Sequence, residues 1–135
     1  MDNDQLKKAG LKITHPRVKI LQILENCEKR HMSAEDVYKE SLAANEDVGL
    51  ATVYRVLTQF EAAGIVSRHH FEGGYSVFEL ESGSHHDHLV CISCGKVVEF
   101  HDEVIEQRQM ELAERKGFEL TDHSLNLYGK CEDCQ

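Results

Sequence analysis

Between residues 85 and 134 the chain collects the side chains that bind borderline and soft cations. They are His85-His86-Asp87-His88, Cys91-x-x-Cys94, Glu99, His101 and Cys131-x-x-Cys134. Imidazole and thiolate are the donors that zinc and the later first-row ions take from proteins, so the pattern points to metal chemistry before any other. Each CxxC turn sets two thiolates at a separation suited to one tetrahedral ion. Two such turns complete a four-thiolate shell from Cys91, Cys94, Cys131 and Cys134, which leaves no position open for reaction and marks a structural zinc. The stretch from Cys94 to Cys131 is long for a zinc ribbon, and a strand–helix–strand excursion would bring the pairs together. The competing reading is unligated or redox-active thiols. A thioredoxin-like site would need CxxC opening a helix in a βαβ setting, which neither pair has.

The histidine run carries a separate signal. Extended backbone sends successive side chains to opposite faces, so His86 and His88 share one side while His85 and Asp87 share the other. One short segment then feeds two sites. Mixed histidine and carboxylate donors are harder than thiolates and suit Fe(II), Mn(II) or Zn(II) held reversibly. Glu79, Glu99 and Glu106 are available to complete them. On this segment alone, a solvated histidine run without metal is the alternative. His69 and His70 read as strand residues without metal, and Cys27, in the apolar phase of a helix, as a plain buried thiol.

Catalytic zinc chemistry has little support. A hydrolase or deaminase needs an open metal position and a nearby acid or base, and the deaminase pattern joins H-x-E to P-C-x-x-C. The single proline is Pro16, far from either cysteine pair, and neither a glycine-rich phosphate loop nor a nucleophile elbow is present. The chain is therefore read as a non-enzyme.

The elements that must position these donors fall into two groups, 1–82 and 83–135, with Ser82-Gly83-Ser84 as a hinge. In the first, residues 4–9 make a brief helix stopped by Gly10, and Thr14 with Pro16 opens a longer one carrying Val18, Ile20, Leu21 and Leu24 inward. Ser33 and Asp36 form a capping box ahead of a third helix with Val37, Tyr38 and Leu42 on its apolar stripe, ending near Asn45. A fourth covers residues 50–62, buries Val53, Val56, Leu57 and Phe60, and stops at Gly64. Its other face carries Thr52, Tyr54, Arg55 and Thr58. Glu72-Gly73-Gly74 then joins two β-prone runs, 65–71 and 75–81, as a hairpin.

Helices followed by a hairpin predict a winged helix, whose last helix enters the major groove of DNA. A helical core with a few solvated residues is the plainer alternative. The second group runs as two short strands, a helix capped by Asp102 with Ile105 and Leu112 two turns apart, and a last strand over 118–128 bent near His123. Its strand edges predict a homodimer. The fold class is thus α+β, an N-terminal winged-helix DNA-binding domain followed by a small α/β dimerisation domain.

Charge and composition agree with this division. The net charge is −9, yet residues 1–80 hold ten basic and twelve acidic side chains against five and twelve in residues 81–135. The acidity therefore sits beside the histidine cluster, where a divalent cation would partly cancel it. Lys7, Lys8, Lys12, Arg17 and Lys19 leave a basic footprint near the start. With no long apolar run and no charged-then-apolar leader, the expectation is a cytoplasmic protein without membrane contact, whose five cysteines stay reduced.

Three segments in order carry a family resemblance. Gly49-Leu50-Ala51-Thr52-Val53-Tyr54-Arg55-Val56-Leu57, Val77-Phe78-Glu79-Leu80 and His85-His86-Asp87-His88-Leu89-Val90-Cys91 resemble the ferric uptake regulator family, with Lys12 to Arg17 and His123-Ser124-Leu125 extending the likeness across the chain. The resemblance implies a metal-dependent transcriptional repressor, a dimer gripping an A·T-rich palindromic double-stranded operator, with tetramer assembly left open. It implies a regulatory set of His31, Glu79, His86, His88 and Glu99, and a second set of His85, Asp87, Glu106 and His123. DNA contacts would fall on Tyr54 and Arg55 in the major groove and Lys12 toward the minor groove, with Arg17 and Thr52 alongside. The paired CxxC turns resemble the zinc-stapled members.

Zinc, manganese, nickel and peroxide sensors share this scaffold, and first-row affinities do not by themselves select the ion. Peroxide-sensing relatives tend to carry Asp where Glu99 stands, so Glu99 resembles the iron-responsive branch. The expectation is structural Zn(II) with regulatory Fe(II), for which Mn(II) or Zn(II) substitutes, controlling iron uptake genes. Zinc-uptake or peroxide control on the same scaffold is the first alternative. A metal-storage protein is the second, and it would not need Thr52, Tyr54 and Arg55 presented beside a Gly-Gly wing.

Overall fold

The structure is a computed structural model describing residues 2–81 and 86–135, without the side chains of residues 2 and 3. The hinge residues and His85 lie outside this description. Two compact units emerge, Met1–Ser82 and Gly83–Gln135.

In the first unit, α1 (Asp2–Lys8) is closed by Gly10 at φ +80°, a backbone conformation that only glycine adopts without penalty. Its Leu6 is fully buried and packs with the later helices, a contribution the short polar segment did not advertise. Helix α2 (His15–Asn26) starts where Thr14 Oγ1 accepts the Arg17 N–H and Pro16 occupies the first turn. Ser33 and Asp36 cap α3 (Ala34–Ala43) reciprocally, as their spacing predicts. Helix α4 (Leu50–Ala62) buries Val53, Val56, Leu57 and Phe60. These join Ile20, Leu21, Leu24, Met32, Val37 and Phe78 in one core, each large side chain contributing about 1.5–3 kcal/mol by leaving water.

The α3 stripe corrects one expectation. Leu42 is half exposed, whereas Ser41 is buried with its hydroxyl donating to the Glu46 carbonyl. The turn at Asn45, φ +56°, brings the chain back over Ser41, and that short hydroxyl fits beneath it where a leucine would not.

Strands β1 (Val66–Phe71) and β2 (Tyr75–Leu80) form an antiparallel hairpin, with Phe71 opposite Tyr75 and Ser67 opposite Glu79. Gly73 and Gly74 both take positive φ in its loop. Just before α3, Met32 forms a bridge to Phe78 through two backbone hydrogen bonds of 3.0 and 2.7 Å. This clip sets the preceding residue, His31, beside Glu79. Helices α2–α4 with the hairpin make the expected winged helix.

The second unit is a three-stranded sheet in the order β4 (Val97–Phe100), β3 (Asp87–Cys91), β5 (Asn126–Gly129), with β4 antiparallel and β5 parallel to β3. Helix α5 (Glu103–Arg115) begins at Asp102, whose carboxylate accepts from Val104 and Ile105 N–H. It has no buried residue: Ile105 is partly buried and Leu112 half exposed. The last strand is also shorter than the expected 118–128. Its apolar phase breaks before Leu125, and Asp122 takes the His123 N–H locally, so ladder pairing starts only at Asn126. No described helix is long and apolar enough to cross a membrane.

Candidate metal centres and nucleic-acid interface

The cysteine pairs converge. Cys91 ends β3, Cys94 follows one turn later, and the parallel pairing of β5 with β3 delivers Cys131 and Cys134, so that all four sulfurs lie within 4.8 Å of one another. Cys94 and Cys131 Sγ are 3.7 Å apart. Tetrahedral Zn–S bonds of about 2.3 Å imply S···S edges of about 3.8 Å, which the Cys94–Cys131 pair matches, and the four sulfurs together form a donor set suited to zinc. Backbone N–H groups of Cys131 and Cys94 each donate to Cys91 Sγ at 3.4 Å. These bonds, Cys131 first, bring the Cys91 thiol down to about 5. Hydrogen bonds from Cys131 and Cys91 push Cys134 up to about 12, the behaviour of thiols sharing one negative charge. The fifth cysteine, Cys27, is half-buried against the helical core.

A second donor group lies in the same unit. Asp87 opens β3 and is almost fully buried, and His123 Nε2 sits 3.7 Å from its Oδ1 and 3.2 Å from Glu106 Oε1 on α5. Their donor atoms fall within 4.8 Å of one another. Two carboxylates and an imidazole converging on one point suit a hard or borderline divalent ion. His85, expected as a fourth member, lies outside the described residues.

The donors of the regulatory set fall in both units. In the first, the Met32–Phe78 clip places His31 Nε2 3.3 Å from Glu79 Oε2, with both side chains about 95% buried. His69 Nε2 lies 2.5 Å from the other oxygen, Oε1. In the second, His88 is buried on β3 opposite Glu99 on β4, the His86 and His88 rings are 5.1 Å apart, and His86 Nε2 is 3.6 Å from Glu99 Oε2. Ionisable groups this deeply buried are retained only against opposite charge, hydrogen bonds or a cation. The donors suit a divalent ion. His101 is exposed and outside the donor groups found among the described residues.

On α4, Thr52, Tyr54 and Arg55 lie away from the buried face, with Tyr54 and Arg55 exposed and Arg55 Nη2 3.3 Å from Thr52 Oγ1. The Tyr54 hydroxyl donates to the Glu35 carboxylate at the start of α3. That bond lowers the Glu35 carboxyl and raises the Tyr54 phenol from their ordinary values. Lys12 is exposed. Arg17 is engaged internally: Nη1 donates to the Lys12 carbonyl at 2.8 Å, and Nε and Nη2 donate to Gln59 Oε1 at 3.2 and 3.0 Å. It ties the start of α2 to α4 and holds the Lys12 segment.

Two residues escaped sequence reasoning. Glu35 reads as an ordinary first-turn acid, and nothing local ties it to Tyr54. His69 did carry a signal, because the Gly-Gly turn fixes a register that puts residues 69 and 79 on one face of the hairpin.

A sequence model described as the Ferric uptake regulator family matches residues 8–128. The chain belongs to the ferric uptake regulator family. It is 68% identical over 134 residues to the ferric uptake regulation protein of Legionella pneumophila, covering 99% of this chain and 98% of that one. Its fold superposes on the crystal structure of the Vibrio cholerae ferric uptake regulator, which reveals rearrangement of the DNA-binding domains. The TM-score there is 0.91 at 61% identity, over 97% of this chain and 100% of that one. The ferric uptake regulator from Francisella tularensis, solved with iron, gives a TM-score of 0.88 at 43% identity over 93% and 95% of the two chains. As a ferric uptake regulator family member, the chain is a metal-responsive transcriptional regulator.

Proposed function

We propose that this chain is an Fe(II)-dependent repressor of iron uptake genes, acting in the cytoplasm as a homodimer on an A·T-rich palindromic operator. The observation that carries the reading is the separation of donor chemistry. One unit holds four thiolates fitted to zinc, whereas His31 with Glu79, and His86 and His88 with Glu99, supply only imidazole and carboxylate. A permanent staple and a reversible sensor need different donors, and these sets differ in that way. The iron found with the Francisella relative and the name of the Legionella one favour Fe(II), as does Glu99 in place of Asp.

The ligands of the regulatory set come from both units, so binding one ion through all of them selects a single angle between the units. In a dimer that angle sets the spacing of the two α4 helices, and only the matching spacing engages both operator half-sites. Dimerisation is supported by the second unit's own surface. Val104 is 78% exposed and Phe118 72%, with Met110, Leu112 and Leu120 also exposed, apolar side chains that a partner copy could cover. The set Asp87, Glu106 and His123 is assigned to a second ion within this unit.

The test is His88→Ala. Because His88 belongs to the sensing donors, its loss abolishes metal-dependent operator binding while light scattering still returns the mass of a zinc-loaded dimer. A monomer or an unfolded chain from that substitution would mean that sensing and structural sites are not separate.

A further inference from the structure

Glu79 divides its two carboxylate oxygens between different partners. Oε2 faces His31 at 3.3 Å and the Arg30 guanidinium at 3.7 Å, whereas Oε1 faces His69 Nε2 at 2.5 Å. An ionised carboxylate can only accept, so the His69 ring nitrogen is the donor. The ring is fixed on both sides of this bond. It belongs to β1, whose register places Ser67 opposite Glu79 and His69 one diagonal step away on the same face, and it stacks on Phe71 with centroids 6.3 Å apart and planes 8° from parallel.

We propose that His69 is a positioning residue for the regulatory metal: it grips Glu79 Oε1 so that Oε2, beside His31, is the oxygen presented to the cation. The proposal rests on Glu79 being a ligand, as read above. Without His69 the grip on Oε1 is lost, and only the contacts of Oε2 with His31 and Arg30 remain to set how the carboxylate turns about its last bond. Hydrogen bonds that orient a metal ligand in this way are typically worth about 10–100-fold in affinity.

The experiment is a titration with Co(II), followed by its d–d absorption, of the full zinc-loaded chain carrying Glu106→Ala to silence the second donor set. His69→Gln keeps a donor at the position of Nε2, whereas His69→Asn keeps an amide too short to reach. The expected result is that His69→Asn and His69→Ala weaken Co(II) binding about 10–100-fold and alter the band shape, while His69→Gln stays close to the parent and all variants keep the parent's circular dichroism. Should His69→Ala fail to fold, the Asn and Gln pair still decides. Parent-like affinity in His69→Asn alongside a weakened Glu79→Ala would overturn the proposal and leave Glu79 a ligand. Equal weakening in Asn and Gln would overturn it too, since the donated hydrogen bond would then not be the cause. Parent-like binding in Glu79→Ala would instead remove the reading on which the proposal stands.

Discussion

Cys91 accepts backbone N–H groups from Cys131 and Cys94, so the folded, metal-free unit holds it as a thiolate at neutral pH. Its value falls from 9.0 to about 5, and the sign follows directly. Stability from this group is fully present above the unfolded value near 9 and is lost as pH falls through about 5. Cys134, raised to about 12, runs the other way: its contribution is complete below 9 and is lost as pH rises through 12. In metal-free, reduced protein, the difference in far-ultraviolet thiolate absorbance between the parent and Cys91→Ser should therefore inflect near pH 5. An inflection only near 9 would show that the knuckle is not preorganised for metal. At this scale much of the chemistry was legible in the sequence. Thiolate spacing named the four cysteines, and strand alternation separated Asp87 from His86 and His88. What stayed hidden was pairing between distant segments, as in Glu35 with Tyr54, because no local pattern encodes it.

Helix signals were legible for the same physical reason that they form helices. The Thr14 cap, the Ser33–Asp36 box and the glycines at positive φ satisfy backbone groups locally, so their effect does not wait on tertiary structure. Strand 118–128 and Leu42 were misread where long-range pairing and a turn decide instead. The elements also separate two kinds of proposed DNA residue. Lys12 is exposed, and a lysine that reaches toward the minor groove acts there mainly through its charge, so Lys12→Ala should weaken binding to every sequence alike and flatten the salt slope by about one. Arg55→Ala should cost about 1–3 kcal/mol on the cognate operator and much less on scrambled DNA. Arg17, whose guanidinium is spent on Gln59 and the Lys12 carbonyl, should instead lose about 1–3 kcal/mol of folding stability on truncation. Anisotropy on both DNAs across salt, with urea melts, checks all three. A sequence-selective loss in Lys12→Ala, or an unchanged melt in Arg17→Ala, would reassign those residues.

For the whole molecule, a net charge of −9 and operator binding are reconciled by where the charge lies. The acidic excess belongs to the unit with the cysteine cluster and most of the other metal donors, and the helix-rich unit is close to neutral with a basic start. Under the proposed reading, a bound cation lowers the negative field beside the histidine cluster, so charge favours DNA in the metal-loaded form. The most direct measurement is anaerobic fluorescence anisotropy on an A·T-rich palindromic operator at fixed salt. The zinc-stapled protein, stripped of weakly held ions, is titrated separately with Fe(II), Mn(II) and Zn(II). Weak binding is expected without added metal and tight binding with Fe(II) or Mn(II). A response to Zn(II) alone would move the protein to zinc control, and operator affinity that ignores every metal while the sites are filled would contradict the central claim.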